Sequence, residues 1–339
     1  MRYGGRQGTT MRRREFFTLL SSAAAWPLAA RAQQAEQMRR IGILTSLAVT
    51  DPEAQTWDDA FRKRLEELGW VDGRNVHFDR RWGTGSIEHL QQSAKELVRL
   101  NPDMLLAITT PATAALQAET RTIPIVFAAV SDPVGSGFIA SLAKPGGNIT
   151  GFIDIEASLS GKWLELMREV APHVSRVEMM FNPKTAPHAR YYLDTFRSAA
   201  AKLSIEPIEA AVDSPSDVEA VIAKIGHDGG GGLIVMPEAS AAAYRTVIFA
   251  NAIRYRLPTI CPGRIFATDG GLISYGIDWA DLLRDAATYA DRILRGAKPS
   301  ELPAQLPTKF ELIINLKTAK ALRLTIPQSM LLLADEVIE

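Results

Sequence analysis

Seven polar residues stand directly after runs of apolar ones: Ser46, Thr109, Thr110, Ser131, Asp132, Asn182 and Glu238. Taken singly, each is ordinary helix-cap chemistry. Taken together, they would gather hydroxyls, an amide and open helix starts at one edge of a sheet, where a small anionic group can be held. Asp132 and Glu238 add carboxylates that would meet an ammonium. One helix terminus contributes only about 0.3–2 kcal/mol, whereas micromolar binding needs about 8 kcal/mol beyond association losses of about 4–15 kcal/mol. A ligand held there must therefore also bury an apolar or aromatic body. Roughly 150–250 Å² of such surface adds about 4–6 kcal/mol, and enclosure between two halves of a protein achieves that burial.

Other chemistries find no constellation. The histidines (His77, His89, His173, His188, His227) are scattered without HExxH or any paired spacing, so no metal site is expected. Cys261 ends an apolar run before Pro262 and reads as a small buried hydrophobe. There is no G-x-S-x-G elbow. Gly229 to Gly232 lack both the Lys-Ser/Thr of a phosphate loop and the context of a dinucleotide site. No cofactor is expected. The enzymatic alternative is an α/β isomerase with Asp132 and Glu238 as acid and base.

The elements that must position the polar residues follow from hydropathy. Ile123 to Val130 is an unbroken apolar run of strand length, as in a parallel sheet covered on both faces. Ser131-Asp132-Pro133 then reads as a helix start, with a short helix over Phe138 to Ala143. The same device recurs after Leu44, Ile108 and Val235. Strands and helices alternate through Ile153, which predicts βαβ units on a parallel sheet. A second cycle runs from the helix Leu159 to Val170 through Pro258-Thr-Ile-Cys261. Both cycles share their order, and Ile123-Pro124 and Leu257-Pro258 hold equivalent places. Gly270 to Gly276 reads as a strand returning to the first lobe, Trp279 to Leu294 as a long helix, and Leu331 to Ile338 as a final helix. The predicted fold is therefore α/β: two Rossmann-like, doubly wound parallel-sheet lobes, one spanning 39–153 plus 275–300 and the other 158–272 plus 304–339. Several crossings between lobes would form a multi-segment hinge.

The 339 residues suit two such lobes, and their composition is that of a globular protein. The formal net charge of zero conceals an asymmetry: residues 1–32 sum to +5 and the remainder to −5. A mildly acidic body gives no electrostatic reason to expect a nucleic-acid partner. The basic start reads as an export leader over residues 1–32. Arg12-Arg13-Arg14-Glu15-Phe16-Phe17 is an n-region of twin-arginine style, Thr18 to Leu28 is a modestly apolar stretch, and Ala30-Arg31-Ala32 is a small-x-small cleavage site. The apolar stretch is short of the roughly 20 residues that span a bilayer. The mature chain, cut near Ala32, is expected in the periplasm without disulfides.

Several blocks together resemble one family. They are the RRREF leader, Ile123-Pro-Ile-Val-Phe with Ser131-Asp-Pro-Val, Pro145-Gly-Gly-Asn-Ile-Thr-Gly151, Ser274-Tyr-Gly276 and Pro307-Thr-Lys-Phe-Glu-Leu-Ile-Ile-Asn-Leu-Lys317. This combination is similar to ABC-transporter substrate-binding proteins of the tryptophan/tyrosine-binding type, from about Arg39 to the C-terminus. The resemblance implies a type I periplasmic-binding-protein fold with a three-segment hinge. It also implies a monomer that delivers a small-molecule solute to an inner-membrane ABC permease, without chemistry. The cleft positions it implies are Ser46, Thr110, Ser131, Asp132, Asn182, Glu238 and Tyr275; Thr109 joins them from the strand-end reading. The expected solute is a small carboxylate-bearing molecule such as an amino acid or aromatic compound. The alternative is a ligand sensor that docks on a sensor kinase or chemoreceptor.

Overall fold

The computed structural model describes residues 38–83 and 86–339, with the isolated Met1 and Gly4. The expected leader and its cleavage site lie outside the described residues.

Five parallel strands build the first sheet: β1 (Arg39–Thr45), β2 (Val76–Arg81), β3 (Met104–Ile108), β4 (Ile125–Val130) and β5 (Ile149–Ile153), in the order β2-β1-β3-β4-β5. Every residue of β3, β4 and β5 is buried, as continuous apolar runs demand when helices cover both faces. Helices α1 (Pro52–Glu67), α2 (Ile87–Arg99) and α3 (Thr110–Glu119) provide that cover. Asp51 starts α1 by accepting the Glu53 amide at 2.9 Å, with Pro52 pre-set for the first turn.

The second sheet repeats this order and extends it. Strands β6 (Arg176–Phe181), β7 (Glu206–Ala211), β8 (Gly231–Val235), β9 (Thr259–Cys261) and β10 (Ile273–Gly276) run β7-β6-β8-β9-β10, followed by β11 (Glu311–Asn315) and β12 (Glu336–Ile338). Only the β10–β11 pair is antiparallel. Helices α4 (Leu159–Val170), α5 (Ala189–Leu203), α6 (Pro215–Asp228), α7 (Ala239–Arg254) and the short α8 (Arg264–Thr268) belong to this lobe. Helix α9 (Trp279–Leu294) packs back on α1 and β4 of the first lobe. Helices α10 (Leu316–Leu322) and α11 (Gln328–Leu333) complete the second. No helix of the described residues is long and apolar enough to cross a membrane.

The chain thus passes between lobes between β5 and α4, between β10 and α9, and between α9 and β11. The first and third passages are tied together: the Ile153 amide donates to the Gln305 carbonyl and the Gln305 amide to the Gly151 carbonyl, each at 2.9 Å. At the second passage a Cβ on Gly276 would fall 1.6 Å from the Pro262 carbonyl oxygen, so only glycine fits.

Three sequence expectations are corrected. The strand at Gly270–Gly276 does not return to the first lobe; it pairs with β9 and β11 in the second sheet. Its short connection from β9 keeps it beside its predecessor, and Leu272 and Ile273 are wholly buried in the second lobe's core. No helix follows Ser131-Asp132-Pro133. Asp132 takes φ 42°, Gly137 φ 71°, and the Asp132 carboxylate accepts the Gly135 amide at 2.8 Å. A Cβ at Gly135 would strike that carboxylate, so the glycines close a turn where a helix would lose about 1 kcal/mol for each. Finally, Leu331–Ile338 is not one helix. After α11 the β-branched Val337 and Ile338 pair with Ile314 and Asn315.

Candidate functional site

The carboxyl ends of both sheets face one cavity, and the first lobe contributes a connected row of polar groups. Thr109 sits at φ 89°, so its hydroxyl turns away from capping α3 and meets Ser46 Oγ at 2.7 Å. The start of α3 is thereby left without a side-chain cap and lies against the cavity. The Thr110 hydroxyl accepts the Ser131 amide at 3.3 Å. A register shift in β4 falls at Ala129 (φ 55°), and Ala129 and Ser131, two residues apart, both line the cavity. Ser131 Oγ donates to Asp154 at 2.9 Å, and the Ile155 amide reaches the same carboxylate oxygen at 2.6 Å. From the opposite lobe, Tyr192 Oη lies 3.0 Å from Ser131 Oγ and 2.8 Å from the Ile155 carbonyl. Asp154 is 5% exposed and forms no ion pair among the described residues. Burial pushes its carboxyl up to about 7 against the pull of these hydrogen bonds.

The second lobe supplies the facing wall. Asn182 is buried behind it, donating from Nδ2 to Ser240 Oγ at 3.2 Å and accepting the Lys184 amide at 2.9 Å. Glu238 caps α7, accepting the amides of Ser240 and Ala241 at 2.6 and 2.7 Å together with the Thr185 hydroxyl. Burial pushes this carboxyl up to about 7 as well. His188 is 6% exposed and lines the cavity, and among the described residues neither ring nitrogen makes a well-formed hydrogen bond, the Pro237 backbone being its one near polar neighbour. Desolvation pushes it down to about 4, with the Pro237 backbone opposing weakly, so the imidazole is neutral near pH 7.

The remaining wall is aromatic. Trp57 of α1, Phe266 of α8 and Trp279 of α9 converge, with the Trp57–Trp279 ring centroids 5.6 Å apart and Phe266–Trp279 6.1 Å apart, edge to face. At the mouth Arg245 of α7 spans the lobes to Asp51 at 2.9 Å and also pairs with Asp269 at 2.6 Å. The cavity so enclosed has a free volume of ≈ 50 Å³, several times the about 10–15 Å³ that one water requires. The arrangement offers polar groups at one end, flat apolar faces at the other, and a single arginine that two carboxylates already engage.

Of the residues singled out from sequence, Thr109, Thr110, Ser131 and Glu238 line this cavity. Ser46 and Asn182 stand one step back and hold Thr109 and Ser240 in place. Asp132 accepts the Gly135 amide in its own turn and does not line the cavity that Glu238 lines. Tyr275 lies outside the cavity, its ring stacked on Phe310 at 6.0 Å and its carbonyl accepting the Trp163 indole N–H at 2.8 Å. The sequence reading passed over Asp154, although it follows β5 just as Ser131 follows β4, and the strand-end rule applied there would have found it. Arg245, His188 and the aromatic trio gave no such sign, since their spacing within helices and loops is that of ordinary core or surface residues. Cys261 is buried, with its thiol pushed up by desolvation. No group of three or more metal-binding side chains occurs among the described residues.

Comparison with known proteins places this geometry in context. The family described as ABC transporter substrate binding protein matches residues 42–338. A tyrosine-binding protein of Clostridioides difficile (strain R20291) is 28% identical over 85% of this chain and 81% of its own. An ABC domain from Streptococcus pneumonia, solved in complex with L-Trp, is 25% identical over 89% of this chain and the whole of its own, with a TM-score of 0.83. The ligand-free, open structure of a substrate binding protein from Clostridium difficile is 26% identical over 89% of this chain and 99% of its own, with a TM-score of 0.66.

Proposed function

Because the chain belongs to the family of ABC transporter substrate-binding proteins, we propose that it captures a small amino acid between its lobes, an aromatic one by preference. In the same reading it acts in the periplasm after export and hands its solute to an inner-membrane ABC permease. The observation that carries the proposal is the interlobe cavity itself, which sets flat apolar faces opposite a polar row. Thr109, Thr110 and the open start of α3 suit the carboxylate of such a solute. Asp154 suits its ammonium, and Trp57, Phe266 and Trp279 suit an aromatic side chain. The relatives support this choice, since one is named for tyrosine and another was solved with L-Trp. Neither lobe alone buries a ligand, so binding requires closure about the three passages.

Thermal-shift measurements on the mature chain with the twenty amino acids test the proposal. A true ligand at a hundredfold excess over its dissociation constant stabilises the fold by about 2.7 kcal/mol, and the aromatic members are expected to lead. No shift with any amino acid would overturn it.

A further inference from the structure

The cavity is unevenly charged. Its lining carries four carboxyl groups, Asp51, Glu53, Asp154 and Glu238, against the guanidinium of Arg245. Arg245 is committed to Asp51 and Asp269, so among the described residues the lining holds no free cation for an incoming carboxylate. The other donors on offer are hydroxyls, the start of α3 and the neutral imidazole of His188, whose two buried nitrogens make no well-formed hydrogen bond among the described residues. Neutral donors bind an anion about half as strongly as charged ones.

The four acids are not equivalent. Asp51 is neutralised, Glu53 accepts the Trp57 indole N–H at 3.0 Å, and Glu238 caps α7 with three bonds inside its own lobe. Asp154 alone among them is deeply buried without a cation or a helix to cap. Ser131 of the β4 exit, Tyr192 of α5 and the Ile155 amide surround it, Tyr191 lies beside Tyr192, and the neutral His188 lines the same cavity, so none of these is a cation.

Resting on the amino-acid reading above, we infer that the cavity selects its solute by an ammonium group held by Asp154, and that a ligand carboxylate is secondary. Binding then moves a proton. Without ligand, burial keeps the Asp154 carboxyl partly protonated near neutrality; an arriving ammonium favours the carboxylate, and the displaced proton leaves to the solvent.

Three probes share one ring and differ in charge: L-tryptophan carries both groups, tryptamine the ammonium, 3-indolepropionate the carboxylate. L-Tyrosine, tyramine and 3-(4-hydroxyphenyl)propionate form a second set. Calorimetry on the mature chain at pH 7 should find each amine within about tenfold of its amino acid and each acid at least about a hundredfold weaker. Titration in two buffers of different ionisation enthalpy should show roughly half a proton released per ammonium ligand. Asp154→Asn should weaken both ammonium-bearing classes by about thirtyfold or more and abolish the release, with the unliganded melting temperature kept. An acid that binds as tightly as its amine, or proton release unchanged in Asp154→Asn, overturns the inference and leaves the amino-acid reading standing. Binding by none of the six probes overturns both.

Discussion

The two lobes share one strand order, yet they spend their buried carboxylates differently. In the second lobe Glu238 completes the start of α7, and the helix amides that it accepts offset part of its desolvation. In the first lobe β5 leads into a hinge passage and not a helix, so Asp154 has only Ser131 and the Ile155 amide to satisfy it. Burial lifts both carboxyls to about 7. Equal titration therefore conceals unequal roles: one group is occupied by the fold, and the other awaits a charge that the fold does not supply. The difference arises because Glu238 follows β8, which leads directly into a helix, whereas Asp154 follows β5, which leads into a passage between the lobes.

The largest effect should come from the aromatic wall that closes the space between them. Trp279 is 8% exposed and contacts Trp57 and Phe266. Trp279→Ala is expected to cost about 3–5 kcal/mol of stability in urea unfolding, and to cut affinity for aromatic ligands more than for small ones. A cost below 1 kcal/mol would mean that the wall is not packed.

A smaller effect separates the two carboxylates. Glu238→Ala should lower the unliganded stability by about 0.5–2 kcal/mol, the usual worth of a cap, whereas Asp154→Asn should not lower it. Equal losses in the two variants would erase the contrast.

The pH dependence sharpens it further. Both carboxyls titrate higher in the fold than in the unfolded chain, so their stabilising contribution is complete below about pH 4 and is lost as pH rises towards 7. His188 has the opposite sign, since its lowered value makes stability fall as pH drops from about 6.5 to 4. Subtracting the profile of Asp154→Asn from that of the natural chain isolates Asp154. The difference is expected to change by about 3 kcal/mol between pH 4 and 7. A flat difference would show that Asp154 ionises at its ordinary value.

Much of this architecture is written locally. Unbroken apolar runs such as Ile125–Val130 announce doubly covered strands, and Asp51-Pro52 announces a helix start, because burial and capping depend on residues close in sequence. Thr109, Thr110, Ser131 and Glu238 were legible for the same reason: a strand end is a local event, and a parallel sheet delivers all such ends to one edge. What lay beyond that reading depended on contacts across the chain. The place of β10 was decided by pairing with β9 and β11. The turn at Asp132 was decided by close approach at Gly135, which removed Asp132 from the cavity. The meeting of Asp51 with Arg245, 194 residues apart, joins one lobe to the other. The raised titration of Asp154 likewise follows from desolvation by both lobes, and desolvation belongs to the assembled volume, not to any stretch of sequence.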